Sequence, residues 1–273
     1  MADLQRQIIR TIGDPDERYQ QDPVRMVRVI RHASRTGFTI ENRTYEAILR
    51  HREEIKTCSP ARVRDEFLRD LREGAARPSL DLMLRTGFLF SIFPDLFRAF
   101  GDRNPFRARE IHLSLSLFGL VDQLVKMDKR IPESILVALL VTPLLRSAIP
   151  EHPFLGEKER SLYRVQAIRL IVHQLLAPYT FPKGIKEMAS QILVAQSYIR
   201  KAIDRGSIPK RLRMKKYFQE AAFLYGLEAE AKKEKLSGLL RHAVPSDLLP
   251  WWPNESGGAR RRHRSNRRKP HPR

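Results

Sequence analysis

Asp14-Pro15-Asp16, within "RTIGDPDERYQQDPVRMVRVIRHASRTGF" (residues 10–38), has the D-x-D spacing with which metal-dependent nucleotidyl and phosphoryl transferases hold Mg²⁺. That chemistry works when both residues lie on one strand, whose period of two points the carboxylates to the same face. Here the middle residue is proline, Gly13 precedes the pair, and no Gly-rich phosphate loop comes before it. The pair therefore reads as turn and helix-cap carboxylates. Further on, Asp22 and Arg25 stand at i and i+3 of a predicted helix, with Arg28 in line. Two readings stay open at this point. One is an N-cap followed by a solvated arginine face. The other is base recognition. A carboxylate accepts from an exocyclic amine and a guanidinium donates to a ring nitrogen or carbonyl, which together satisfy the Watson–Crick edge of adenine or cytosine.

The elements that position these residues are helical, and no alternating strand run stands out. Asp22-Pro23 reads as a helix start. From there Met26, Val27, Ile30 and Ala33 share one face, Arg25, Arg28 and His32 the other, and Thr36-Gly37 ends the helix. A second helix is expected over Asn42 to Lys56. A third begins at Ser59-Pro60, buries Val63, Phe67, Leu68 and Leu71, and closes at Glu73-Gly74. "PSLDLMLRTGFLFSIFPDL" reads as a short helix, a stop at Gly87 and an apolar segment ending at Pro94. "GDRNPFRARE" (101–110) is the best internal boundary; apolar helical segments follow at 111–127, 134–148 and 162–177. "APYTFPKG" (177–184) is a second break, followed by a helix over about 185–203. The basic turn "DRGSIPKRLRMKK" and a last helix through about 231 complete the ordered part. The expected fold is all-α, an elongated multi-helix array with a disordered basic C-terminal tail. Its units are 1–100, 101–177, 178–250 and the tail 251–273.

Composition narrows the partners. A net charge of +20 over 273 residues favours a polyanion. Lys210, Arg211, Arg213, Lys215 and Lys216 form one basic cluster. Arg260, Arg261, Arg262, Arg264, Arg267, Arg268 and Lys269 form another, in a stretch without periodicity. Both are assigned to RNA, bound through phosphate neutralisation and counterion release. Tyr217, Phe218, Phe223 and Tyr225 follow the first cluster, at spacings that suit core packing better than base stacking. The tail lacks the apolar anchors that binding to an acidic membrane needs. "ILVALLV" (135–141) is far short of a membrane span, and no signal peptide is indicated. With Cys58 as the one cysteine, a reduced, cytoplasmic setting is expected. His32, His51, His112, His152, His173 and His242 are scattered, and His263 and His271 fall in the tail, so no metal-ligand set is legible.

"IGDPDERYQQDPVRMVRVIRHASRTGFTIE" resembles the neck segment of class II polynucleotide nucleotidyltransferases, the bacterial poly(A) polymerases and tRNA CCA-adding enzymes. "CSPARVRDEFLRDLREG" resembles the next family motif and "LDLMLRTGFLFSIFPDL" the segment after it, in the same order and spacing. The resemblance is specific over about residues 8–100 and looser beyond, where the extra helical region and arginine-rich tail suit the poly(A) polymerase branch. It implies that Asp22 and Arg25 read the base of the incoming nucleotide without a template, with Arg28 near the nucleotide. Arg62 and Glu66 would brace the neck or approach the nucleotide. The family's leading acidic position is Gln21 here.

The resemblance also implies ATP or CTP and Mg²⁺ as the assembled enzyme's cofactors, and RNA 3′ ends as its substrate. The family's catalytic head carries a Gly-Ser element, a strand-borne D-x-D and an "RRDFTxNA"-like segment, and none of these occurs in the 273 residues. The expectation is thus an RNA- and nucleotide-binding portion, with no catalytic or metal-binding residue of its own. It would be inactive alone and would add nucleotides only with a catalytic head supplied elsewhere, either by another chain or by sequence missing from an incomplete gene model. The alternative is a stand-alone, non-catalytic RNA-binding protein derived from the family.

Overall fold

The computed structural model describes residues 2–100, 107–148, 156–235, 237–240 and 243–244. Among them the chain is helical apart from one pair of two-residue strands. Its elements run α1 (Ala2–Gln5), β1 (Ile8–Ile9), α2 (Pro15–Gln21), α3 (Val24–Thr36), β2 (Thr39–Ile40), α4 (Asn42–His51), α5 (Pro60–Arg72), α6 (Ala76–Arg85), α7 (Phe88–Ile92) and α8 (Phe97–Phe100). Then come α9 (Arg107–Lys126), α10 (Glu133–Ala148), α11 (Glu157–Leu176), α12 (Lys183–Asp204), α13 (Lys210–Arg213) and α14 (Phe218–Ala231). The all-α expectation holds. Residues 101–106 of the expected boundary and the basic tail lie outside the described residues.

The D-x-D pair starts a helix. Asp14 caps α2, its carboxylate accepting from the Asp16 backbone N–H at 2.9 Å, and Pro15 occupies the first helical turn. The predicted apolar face of α3 is the one that packs: Met26, Val27, Ile30 and Ala33 are all buried. Gly37 ends α3 at φ 72°, a left-handed conformation suited to glycine. The reversal that follows lets β2 pair with β1 in parallel, Ile8 opposite Thr39 and Ile9 opposite Ile40. A two-residue ladder between distant segments leaves no periodicity to read in the sequence.

Two helix boundaries differ from expectation for physical reasons. The helix starting at Asn42 stays α-helical only to His51, and residues Arg52–Thr57 tighten into a 3₁₀ turn. There the Arg52 guanidinium donates to the Leu49 carbonyl at 2.7 Å, satisfying an acceptor near the helix end. Helix α6 begins at Ala76, ahead of the predicted start at Pro78, because its cap comes from elsewhere. The buried Asp122 of α9 accepts from the backbone N–H groups of Ala76 and Arg77 at 2.7 and 2.9 Å.

Helix α10 is apolar on all sides, with Ile135 through Val141 and Leu144 buried, and it packs against α8, α9, α11, α12 and α14. The turn between α11 and α12 ties this part to the first. The Tyr179 hydroxyl donates to the Ile92 carbonyl at 2.6 Å, and its ring meets Phe93 edge-on at 5.3 Å. Burial pushes the Tyr179 phenol up to about 12, so it remains a donor. One apolar core runs from Tyr19 to Val244.

A buried histidine locks α2 to the end of α4. His51 Nε2 lies 2.7 Å from Asp16 Oδ1, and Nδ1 lies 2.6 Å from Glu54 Oε1. Burial opposes charge on the ring, but the hydrogen bonds to Glu54 and Asp16 prevail and raise its pKa. Asp16 is held low by His51 and then by Arg50. A raised histidine stabilises fully below its ordinary value of 6.5, and that share is lost as pH rises through the folded value. His51→Gln should therefore destabilise the fold more at about pH 6 than at about pH 9 in thermal melts. Equal losses at both would show that the folded ring is uncharged.

Candidate nucleotide and RNA site

Helices α2 and α3 meet at Asp22 with almost no linker. The Asp22 N–H donates to the Arg18 carbonyl at 3.1 Å and closes α2, while its own carbonyl accepts from the Arg25 N–H at 3.0 Å and opens α3. Pro23 already has helical angles and stands at the N-cap. This corrects the expectation that the Asp22 carboxylate caps α3. The backbone makes the junction, and the side chain is left for other partners.

Those partners are guanidinium groups from two helices. Arg62 of α5 donates from Nη2 to Asp22 Oδ2 at 3.0 Å. Its Nη1 lies 3.0 Å from Oδ1, yet Oδ1 is enclosed and receives no well-directed hydrogen bond. Arg25 Nε is 3.7 Å from Oδ2, an ionic contact rather than a hydrogen bond, and its side chain is 47% exposed. The corner thus holds a partly exposed carboxylate, clasped by Arg62, beside a guanidinium that is half exposed. Half-buried Cys58 adjoins it; burial pushes its thiol up and disfavours the thiolate.

One turn along α3, Arg28 donates from Nε and Nη2 to Glu66 Oε1 at 3.2 and 3.0 Å. Glu66 is buried and also bonded to Arg31. Burial pushes its carboxyl up, but Arg31 and Arg28 outweigh this and hold it below the ordinary range. Its oxygens are occupied within the protein, which suits the bracing role of the two roles expected for it. The five residues singled out in the sequence, Asp22, Arg25, Arg28, Arg62 and Glu66, thus form one cluster between α3 and α5.

Sequence reasoning missed the centre of that brace. Arg31 is buried on the packed side of α3 and donates from Nη2 to the Glu66 carbonyl at 2.9 Å. It also pairs with the carboxylates of Glu66 and Asp70. The Ser79 hydroxyl of α6 donates to Asp70 Oδ2 at 3.2 Å, which brings a third helix into the network. Burial pushes the Asp70 carboxyl up to about 6 against the pull of Arg31. A signal was present: Arg31 follows Val24 by seven and Val27 by four, so it falls on the apolar stripe.

The D-x-D carboxylates are engaged away from this corner. Asp14 pairs with Arg43 at 2.7 Å, and Asp16 with Arg50 and His51. Among the described residues, no group of three or more His, Cys, Asp or Glu side chains could hold a metal ion. No described helix is long and apolar enough to cross a membrane.

The first basic cluster surrounds α13. Lys210, Arg211, Arg213, Lys215 and Lys216 are all exposed, and none pairs with a carboxylate among the described residues. Leu212 and Ile208 turn inward against the core. Phe218 and Phe223 are buried, as their spacing predicted, while Tyr217 and Tyr225 are partly buried against the core. The second cluster, Arg260 to Lys269, lies outside the described residues.

Comparison with known proteins places the chain among relatives of known kind. Residues 37–100, which hold Arg62, Glu66 and Asp70, match the family described as "Probable RNA and SrmB- binding site of polymerase A". The solved Bacillus stearothermophilus CCA-adding enzyme in complex with CTP shares the fold at 20% identity and a TM-score of 0.55, over 92% of this chain and 50% of that one. Poly(A) polymerase I of Escherichia coli is 27% identical over 256 residues, 92% of this chain and 52% of the relative. The CCA-adding enzyme of Bacillus subtilis is 36% identical over 84 residues, 31% of this chain and 21% of the relative. The chain is homologous to poly(A) polymerase I over most of its length and to CCA-adding enzymes over a shorter part. It spans about half the length of the poly(A) polymerases it matches.

Proposed function

We propose that this chain is the RNA- and nucleotide-binding portion of a poly(A) polymerase-like nucleotidyltransferase. It acts in the cytoplasm in RNA 3′-end processing, adenylate or CCA addition, with a catalytic head supplied outside these residues. Asp22 and Arg25 read the base of the incoming ATP or CTP, Arg28 lies beside it, and Arg62 and Glu66 hold the readers in place. The observation that carries this reading is the α2–α3 corner. A partly exposed carboxylate and a half-exposed guanidinium stand side by side, the carboxylate fixed by Arg62. Acceptor and donor in that order complement the amine and ring nitrogen of adenine or cytosine. Homology to poly(A) polymerase I across the same helices supports it.

For such a transfer, carboxylates would hold Mg²⁺, which would lower the pKa of the attacking 3′-hydroxyl and offset the charge of the triphosphate. Asp14 and Asp16 are committed to a cap and to ion pairs, so the reading places that step on the head, with its Mg²⁺. The cluster around α13 and the arginine-rich stretch Arg260–Lys269 are assigned to RNA, held through its phosphates.

Mixing the chain with its cognate head domain, Mg²⁺, ATP or CTP, and RNA bearing a free 3′-hydroxyl tests the assignment. Gel analysis should show 3′ extension in the mixture and none from the chain alone. Absence of extension with a well-folded cognate head would refute the enzyme reading, and retained RNA binding would then favour the stand-alone RNA-binding alternative.

A further inference from the structure

The cations around α13, which pair with no carboxylate among the described residues, have two aromatic rings near them that are not fully buried. Tyr198, near the end of α12, is 40% exposed. Tyr217, at the N-cap of α14, directly follows Lys215 and Lys216 and is partly buried against the core. Helix α14 packs on both α12 and α13, which brings the two tyrosines to one side of the molecule. Their hydroxyls are near enough that Tyr198 adds to the rise in the Tyr217 pKa, behind burial. Met214, between the cations, is 74% exposed and adds a further apolar surface at the same place.

We infer that Tyr198 and Tyr217 form a base-stacking platform beside the α13 cations, which makes this surface a site for single-stranded RNA. The inference rests on the RNA reading of the α13 cluster given above and extends it to the form of RNA bound. Lys210, Arg211, Arg213, Lys215 and Lys216 neutralise phosphates on any nucleic acid and carry no preference for strandedness. An exposed ring is of use to an unstacked base, and duplex RNA keeps its bases stacked on one another. Cations beside an exposed ring and a second, partly buried one therefore favour a flexible strand whose bases can splay onto the protein. This surface lies outside residues 37–100, the segment that matches the polymerase A binding-site family.

The test compares the full chain with Tyr198→Ala, Tyr198→Phe and the pair Lys215→Gln/Lys216→Gln. Binding of a labelled oligoadenylate and of a blunt RNA duplex of equal charge is followed by anisotropy across a salt series. Tyr198→Ala should weaken single-strand binding about 10-fold, with its salt slope and duplex affinity unchanged. Tyr198→Phe, which keeps the ring, should bind like the parent. The lysine pair should weaken both ligands and flatten both salt slopes. Equal loss on both ligands with Tyr198→Ala, or no loss on either, overturns the stacking platform and leaves the RNA reading standing. Failure of the parent chain to bind either ligand overturns both.

Discussion

Replacing Arg31 with methionine is expected to destabilise the chain by about 3–5 kcal/mol, the cost of leaving buried charges without their partner. For a domain of this size that corresponds to a fall in melting temperature of about 10 °C. Among the described residues, Arg31 is the one cation in contact with both Glu66 and Asp70, and buried Asp70 has no second cation bonded to it. Methionine keeps the stem's packing against α5, so the loss reports charge rather than volume. The pH dependence identifies the cause. Asp70 in the fold titrates at about 6, above its ordinary 3.8, and without Arg31 burial raises it further. A carboxyl raised in this way favours the fold when protonated, and that contribution is lost as pH rises through the folded value. The deficit of Arg31→Met should therefore be smaller below about pH 6 and grow as pH rises through neutrality. Adding Asp70→Asn and Glu66→Gln should recover much of the loss at neutral pH. A deficit that does not change with pH would show that packing, not charge, is what Arg31 supplies.

That network marks where the sequence stops being legible. Helix extents were readable because they rest on local signals. Gly37 reverses α3, Pro60 starts α5, and the apolar runs near 111–127, 134–148 and 162–177 match α9, α10 and α11. The D-x-D pair was readable for the same reason, since proline and glycine fix its backbone locally. The misses are contacts between residues far apart in the chain. Arg31 finds Glu66 and Asp70 on α5, Asp122 of α9 caps α6, and Tyr179 reaches back to Ile92. No local pattern encodes which carboxylate meets which cation. The Asp22 corner lies between these cases. Asp22 and Arg25 were placed by spacing and resemblance. The partner that Asp22 takes instead of a cap, Arg62, comes from a helix forty residues on.

Base selection is where the largest functional change is expected. In calorimetric titrations the parent chain should bind ATP or CTP in preference to GTP and UTP. Asp22→Ala and Arg25→Ala should each weaken the preferred nucleotide about 10–100-fold, the loss of one hydrogen bond to a charged group. Asp22→Asn sharpens the test. An amide keeps the shape and one acceptor but adds two donors where the base presents its own amine, so binding should fall although the side chain fits. Stability should move little, by under about 1 kcal/mol, because Arg25 and Arg62 are exposed and their pairs with Asp22 are screened. RNA affinity should be unchanged, since the α13 cations lie on other helices. Folded variants with parent-like affinity for all four nucleotides would remove Asp22 and Arg25 from base reading. The corner would then be only a junction, with Arg62 stitching α5 to the start of α3. A selective loss, with the fold and RNA affinity intact, is the result that a purely structural corner does not produce.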